Sequence, residues 1–249
     1  MVMRSPHGGL QSAKVRAALY YARKRRLARL SGSEGGGAYS QNLYTGYIHL
    51  EGGADLDASS KIEFSCWVNM THPGSEQQWL WSDGNDTQIM LETDGTLRVK
   101  FEATGSILYH YRTHLAVQDG VLSHIYVSYD GATGTPEIII DGVTDDLTTG
   151  LVFTAASAGT IHAGAIDLLA LNGAFRDFEG QFGDLWVNNP ATFDGHAAFW
   201  NGGTPPDLSG LTQPVIWLGG SQVAADIAAG GNNGTATLTP RAGAALTDV

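Results

Sequence analysis

Between Ile62 and Val187 apolar residues recur at every second position in short runs that close on glycine, asparagine or aspartate, and no helix-length pattern intervenes. In the clearest run Ile62, Phe64, Cys66, Val68 and Met70 alternate with Glu63, Ser65, Trp67 and Asn69. A period of two predicts a strand with one face in a core and the other toward solvent. Further strands are expected at Trp79–Trp81, Ile89–Leu91, Leu97–Phe101, Ile107–Tyr111, Ile125–Tyr129, Glu137–Asp141, Thr160–His162, Ile166–Leu171 and Gln181–Val187. Asp94-Gly95 and Asp141-Gly142 are turn signals, because both residue types tolerate the positive φ that a tight hairpin needs. Strands that follow one another without crossover helices pair antiparallel. The expected fold is therefore all-β, an antiparallel sandwich or jelly roll, which these strands favour over a parallel α/β sheet.

Composition agrees with that reading. Glycine supplies 33 of the 249 residues and charged residues only 16%, which suits a turn-rich β chain and excludes long helical bundles and coiled coils. No apolar run approaches the ~18 residues of a membrane-spanning helix, so no membrane insertion is expected. Cys66 has no second cysteine to pair with. On an inward-facing strand position it is expected to be inert core.

The charge is divided unevenly. Residues 1–33 carry eight of the 14 basic residues and no acid, which leaves six basic and all 25 acidic residues to the rest. From Gln11 to Leu30 good helix formers follow a capping Ser12, and Ser31-Gly32-Ser33-Glu34-Gly35-Gly36-Gly37 reads as a flexible linker. The expected organisation is a basic helical arm with its linker over residues 1–37 and a β-sandwich with a C-terminal extension over 38–249. Arg16, Arg23, Lys24, Arg25, Arg26 and Arg29 are the candidate docking residues of the arm. An acidic protein partner suits this short, alanine-rich face better than anionic lipid or nucleic acid does. The N-terminal text lacks an apolar segment after Arg4, so no secretory signal peptide is expected.

The order of motifs resembles a known family. Phe64-Ser65-Cys66-Trp67-Val68 is similar to an early strand of laminin G-like, or concanavalin A-like, domains, and Trp81-Ser82-Asp83-Gly84 through Asp94-Gly95-Thr96-Leu97-Arg98-Val99 to their next hairpin. Ser123-His124-Ile125-Tyr126-Val127-Ser128-Tyr129-Asp130-Gly131 and Ile138-Ile139-Ile140-Asp141-Gly142-Val143 resemble two later strands, with Leu122 where the family usually has tryptophan. Phe178-Glu179-Gly180-Gln181-Phe182-Gly183-Asp184-Leu185-Trp186-Val187 resembles the closing one. Beyond Trp200, Gly202-Gly203-Thr204-Pro205-Pro206, Pro214-Val215-Ile216-Trp217-Leu218-Gly219-Gly220 and Asn232-Asn233-Gly234 are similar to the extension of such domains in tailed-bacteriophage virion proteins. The resemblance implies a jelly roll used for binding or structure, and a virion protein assembled in the host cytoplasm.

The residues offer little for catalysis. Jelly-roll glycosidases need two carboxylates about 5 Å apart on one strand. Here Glu92-Thr93-Asp94 lacks the third acid of their motif, and Asp94 is required by a turn. His110 and His114, four apart on a strand, are separated by about 13 Å at ~3.3 Å per residue and cannot share an ion. Asp83, Asn85 and Asp86 place three oxygen side chains in one loop and are the candidate calcium ligands, against the preferred reading that they only build a turn. No other cofactor is expected. Trp67, Trp79 and Trp81 could form a platform for a sugar ring, although such residues more often fill the space between sheets.

The expectation is thus a non-enzymatic structural or binding protein of a phage or phage-like particle, in head decoration, spike or tail attachment. It would be anchored by its arm to other virion proteins of the capsid or tail, form a homo-oligomer or symmetric array, and meet host-surface glycans. A free-standing carbohydrate-binding lectin and a divergent glycoside hydrolase or lyase are the alternatives. Val215, Trp217, Leu218 and Leu238 are expected to pack into the sandwich.

Overall fold

The computed structural model describes residues 44–47, 50–52, 56, 59–70, 77–82, 87–103, 105–161, 166–168, 180–220, 222–240 and 245–248. The basic arm with Arg16, Arg23, Lys24, Arg25, Arg26 and Arg29, and the loop with Asp83, Asn85 and Asp86, lie outside them.

Among the described residues two eight-stranded antiparallel sheets form. The first contains, in spatial order, β10 (Val143–Thr144), β9 (Thr135–Ile140), β8 (Leu122–Asp130), β3 (Lys61–Met70), β13 (Gly180–Asn188), β1 (Tyr44–Tyr47) and β16 (Ala245–Asp248), with β14 (Ile216–Leu218) also paired to β13. The second runs β11 (Leu151–Thr154), β7 (Ser106–Ala116), β6 (Thr96–Ala103), β5 (Gln88–Leu91), β4 (Gln78–Ser82), β12 (Ile166–Leu168), β2 (Leu50–Gly52) and β15 (Thr239–Pro240). Among the described residues two short helices, α1 (His196–Phe199) and α2 (Ala224–Ala228), lie in the C-terminal third. No helix among the described residues is long and apolar enough to cross a membrane.

Alternation builds the core where the sequence shows it. In β6, Leu97, Val99 and Phe101 are buried in the main cluster while Arg98, Lys100 and Glu102 stay half-buried on the other face. The β9–β10 hairpin turns on Asp141 and Gly142, with φ of 54° and 75°, the pair of positive φ angles that a two-residue hairpin requires. The strand expected at Thr160–His162 is reduced to one bridge, Ser59 to Ile161.

The solvent face expected for β3 is not there. Glu63, Ser65 and Trp67 are buried along with their inward neighbours. The cause is the segment after β13, which crosses the outer face of the first sheet and packs Phe199 and Leu208 on Tyr126, Ile139 and Trp186. The polar residues beneath it are partnered, as burial demands. Glu63 accepts from Tyr126 Oη at 2.8 Å and from the Gly195 N–H at 3.0 Å, and Ser65 Oγ lies 2.8 Å from His124 Nε2. Trp200 stacks on Trp67 with ring centroids 5.5 Å apart.

Candidate functional site

The C-terminal strand β14 places one large side chain outward. Its register on β13 sets Leu218 opposite Leu185, Trp217 opposite Trp186 and Ile216 opposite Val187. Ile216 and Leu218 enter the core, so alternation turns Trp217 to the outer face, where it remains half-buried. Its ring meets Trp186 at 5.7 Å and 54°. Trp186 is sealed beneath it by Phe199.

Hydrogen bonds hold Trp217 at its ring nitrogen and at its backbone. A bulge in β13 between Gly183 and Trp186 shifts the register against β3 and holds Asp184 at φ 42°, a conformation that aspartate tolerates better than most residues. The Asp184 Oδ1 then accepts from Trp217 Nε1 at 3.1 Å and from the Gly220 N–H at 3.0 Å. From the opposite side the Trp217 backbone N–H donates to Asn232 Oδ1 at 2.8 Å. Gly219 can be nothing larger, since a Cβ there would stand 2.3 Å from Asp184 Oδ1.

Trp217 forms one wall of a cleft of about 500 Å3. Trp186, Leu208, Leu211 and Pro214 supply its apolar floor, and Asp207, Ser209, Gln213 and Asn233 its polar rim. Each rim side chain is oriented by a neighbour. Asp207 Oδ1 accepts from the Ser209 N–H at 2.9 Å, Gln213 Nε2 donates to the Asn233 carbonyl at 2.7 Å, and Asn233 Nδ2 donates to the Gly219 carbonyl at 2.9 Å. The hydrogen bond from Ser209 holds the Asp207 carboxyl below the usual carboxylate range, so it is ionised at neutral pH. An aromatic wall with oriented polar groups around it is an arrangement that fits a ligand with one apolar face and several hydroxyls.

The sequence-derived candidates fall elsewhere. Trp67, Trp79 and Trp81 are 2%, 2% and 0% exposed, so the sugar platform proposed for them does not exist. Trp81 fills the core and Trp79 pairs with Met90 on the second sheet. Cys66 is buried, and desolvation pushes its thiol far up. His110 and His114 sit on the outward positions of β7. His110 packs on Phe153, and burial first, then Arg98 and Lys100, holds its imidazole below the usual value. Glu92 is ion-paired with Arg98 and Asp94 with Arg112. Ser65 and His124 do meet, but both are sealed from solvent, and His124 Nδ1 has no hydrogen-bond partner among the described residues. A serine–histidine pair works as nucleophile and base only when substrate reaches the serine and a third group orients the histidine.

The hydrophobicity of Trp217 predicts a core position, and the structure turns it to the outer face. The signal that separates it from its neighbours is the triplet Ile216-Trp217-Leu218, in which one of three apolar residues must face the other way.

A family model described as the concanavalin A-like lectin/glucanases superfamily matches residues 42–194. No curated protein matches the chain in sequence. Among solved structures, a proposed carbohydrate-binding protein of Bacteroides ovatus is 14% identical with a TM-score of 0.51, covering 84% of this chain and 60% of its own. A native heptameric SAP-like pentraxin of Limulus polyphemus is 15% identical with a TM-score of 0.44, over 64% of this chain and 80% of its own. Domain 4 of an extracellular arabinanase of Geobacillus stearothermophilus, in complex with arabinotriose, is 18% identical with a TM-score of 0.37, over 52% and 61%. This chain thus spans about three-fifths of the Bacteroides protein, and at that identity the likeness is one of fold. The cleft draws Trp186 from the matched fold's last strand and all of its remaining lining from residues beyond 194. With the matched segment taking in more than half of the sequence, the chain belongs to the concanavalin A-like lectin/glucanases superfamily.

Proposed function

We propose that this protein is a non-enzymatic carbohydrate-binding module that seats a saccharide against Trp217. One observation carries the reading: a half-exposed indole, fixed at its ring nitrogen by Asp184 and at its backbone by Asn232, stands in a cleft rimmed by hydrogen-bonding side chains. The axial C–H groups of a pyranose form an apolar face that can lie on such a ring while its hydroxyls turn to the rim. Because the ring is already oriented, little conformational freedom is lost on binding. A few net hydrogen bonds of ~0.5–1.5 kcal/mol each and one stacked ring correspond to dissociation constants in the micromolar to millimolar range.

The setting we infer is a phage or phage-like particle. The charge division supports it, with eight basic residues and no acid in the first 33 and 25 acids against six basic residues after them. In this arrangement the arm docks on an acidic virion protein and the sandwich is displayed toward host glycans. Screening wild type and Trp217→Ala on a glycan array tests the binding function. Glycan signals that vanish in a folded Trp217→Ala protein are expected; signals that survive it would remove the cleft from the reading. Co-sedimentation of the full chain with particles, compared with a chain lacking residues 1–33, tests the setting.

A further inference from the structure

We infer that the Trp217 cleft is built for a neutral pyranose and turns away sugars that carry a carboxylate or another anionic group. This rests on the carbohydrate-binding reading and names the ligand class for the same site.

The first argument is the sign of the hydrogen-bonding groups. After the bonds that orient them, Gln213 keeps Oε1 and Asn233 keeps Oδ1 without a hydrogen-bond partner among the described residues, and the exposed Asp207 carboxylate, held by the Ser209 N–H and side chain, has further lone pairs to offer. All three are acceptors. The hydroxyls of a neutral sugar are donors as well as acceptors and can satisfy them, and the bond to an ionised acceptor is the stronger kind. A uronate or sialate brings an acceptor-only group to an acceptor-rich rim.

The second argument is charge. No lysine, arginine or histidine lines the cleft among the described residues. Asp207 stands at its mouth, and the Asp184 carboxyl group accepts from the Trp217 ring nitrogen at 3.1 Å. The four described lysines and arginines are each engaged with a carboxylate elsewhere: Lys61 with Asp130, Arg98 with Glu92, Lys100 with Glu102 and Arg112 with Asp94. Among the described residues no cation is therefore at hand to offset an anion in the cleft. Recognition of carboxylate or phosphate commonly depends on such a cation, arginine above all.

The test uses the full chain and matched sugar pairs, methyl glucoside with methyl glucuronide and methyl galactoside with methyl galacturonide, titrated by ligand-observed NMR at low salt. At least one neutral member is expected to bind in a way that Trp217→Ala abolishes, with its uronate at least tenfold weaker. Asp207→Asn keeps the acceptor for the Ser209 N–H, and Asp207 is fully exposed, so the fold should be unaffected and the tenfold ratio should shrink. Added salt should shrink it as well, since exposed charges are screened. A uronate that binds through Trp217 as tightly as its neutral partner overturns the selectivity and leaves the carbohydrate reading standing. If no sugar of either class binds, or if binding ignores Trp217→Ala, both fall.

Discussion

His124 of the first sheet and His196 of the segment that follows β13 face each other, their ring centroids 5.4 Å apart, and His124 has no exposed surface at all. His124 comes from the middle of β8 and His196 opens α1, so the pair joins the outer face of the first sheet to the chain that covers it. Trp67, Tyr126 and Trp200 complete the surround. Burial pushes both imidazoles below their ordinary value of 6.5, and for His124 the nearness of His196 adds to it. The covering segment thus meets the sheet through two histidines whose neutral forms burial favours.

That arrangement makes stability depend on pH. The unfolded chain takes up both protons near 6.5 while the folded chain resists them, so the folded state is fully stable above that value and loses stability as pH falls through it toward the lowered folded values. Glu63, raised by burial, acts in the opposite sense, since its protonated form favours the folded chain below its raised value. The melting temperature is expected to fall between pH 7.5 and pH 5.5, and less steeply in His196→Gln. A melting temperature that is flat over this range would contradict the pairing.

Asp184 should be the keystone of the Trp217 wall. Replacing it with alanine leaves the Trp217 Nε1–H and the buried Gly220 N–H without the acceptor they share, a loss of about 1–3 kcal/mol for a buried donor left unmade. For a chain of this size that corresponds to roughly 2–4 °C per kcal/mol. Asp184→Asn retains an acceptor oxygen and should lose less. Thermal unfolding followed by tryptophan fluorescence separates the two variants; equal melting temperatures for wild type and Asp184→Ala would refute the role.

Much of this fold could be read in the sequence, for a physical reason. Strands such as β6 and β7 sit inside a sheet with one buried face, which imposes period two, and the Asp141-Gly142 tip marks its own hairpin. The edge-closing strands β1, β2, β15 and β16 are two to four residues long, too short for a period to show. The covered face of β3 was illegible because its cover comes from residues 195–211. Nothing local to Glu63, Ser65 and Trp67 announces a lid supplied by residues more than a hundred positions later. Trp217 was hidden for the opposite reason. Its hydrophobicity argues for burial, and only the pairing with Trp186 shows that it faces outward.

Cys66 gives a simple probe of the core. Its thiol is buried between the sheets and its ionisation is strongly disfavoured by desolvation, whereas reaction with a disulfide reagent requires the exposed thiolate. Native protein is expected to show no titratable thiol at pH 8 over the time in which denatured protein yields one per chain. Rapid labelling without denaturant would mean that the sheets separate far more readily than their packing implies.

The chain beyond Gly203 closes the sandwich and should be indispensable to it. β14 pairs with β13, β15 with β2 and β16 with β1, so both sheets draw strands from this region. Ile216, Leu218 and Ile227 are completely buried, and Val215 and Leu238 nearly so, all in the main core cluster. At ~1.5–3 kcal/mol for each such side chain, their loss amounts to about 7–15 kcal/mol. That equals the whole net stability of an ordinary domain, about 5–15 kcal/mol. Removal would also uncover Val187 and Trp186 on the edge of β13, where an unpaired apolar strand invites association. A chain ending at Gly203 is therefore expected to aggregate or to melt far below the full-length protein in thermal unfolding and size-exclusion measurements. A soluble monomer with an unchanged melting temperature would show that the extension merely decorates the sandwich.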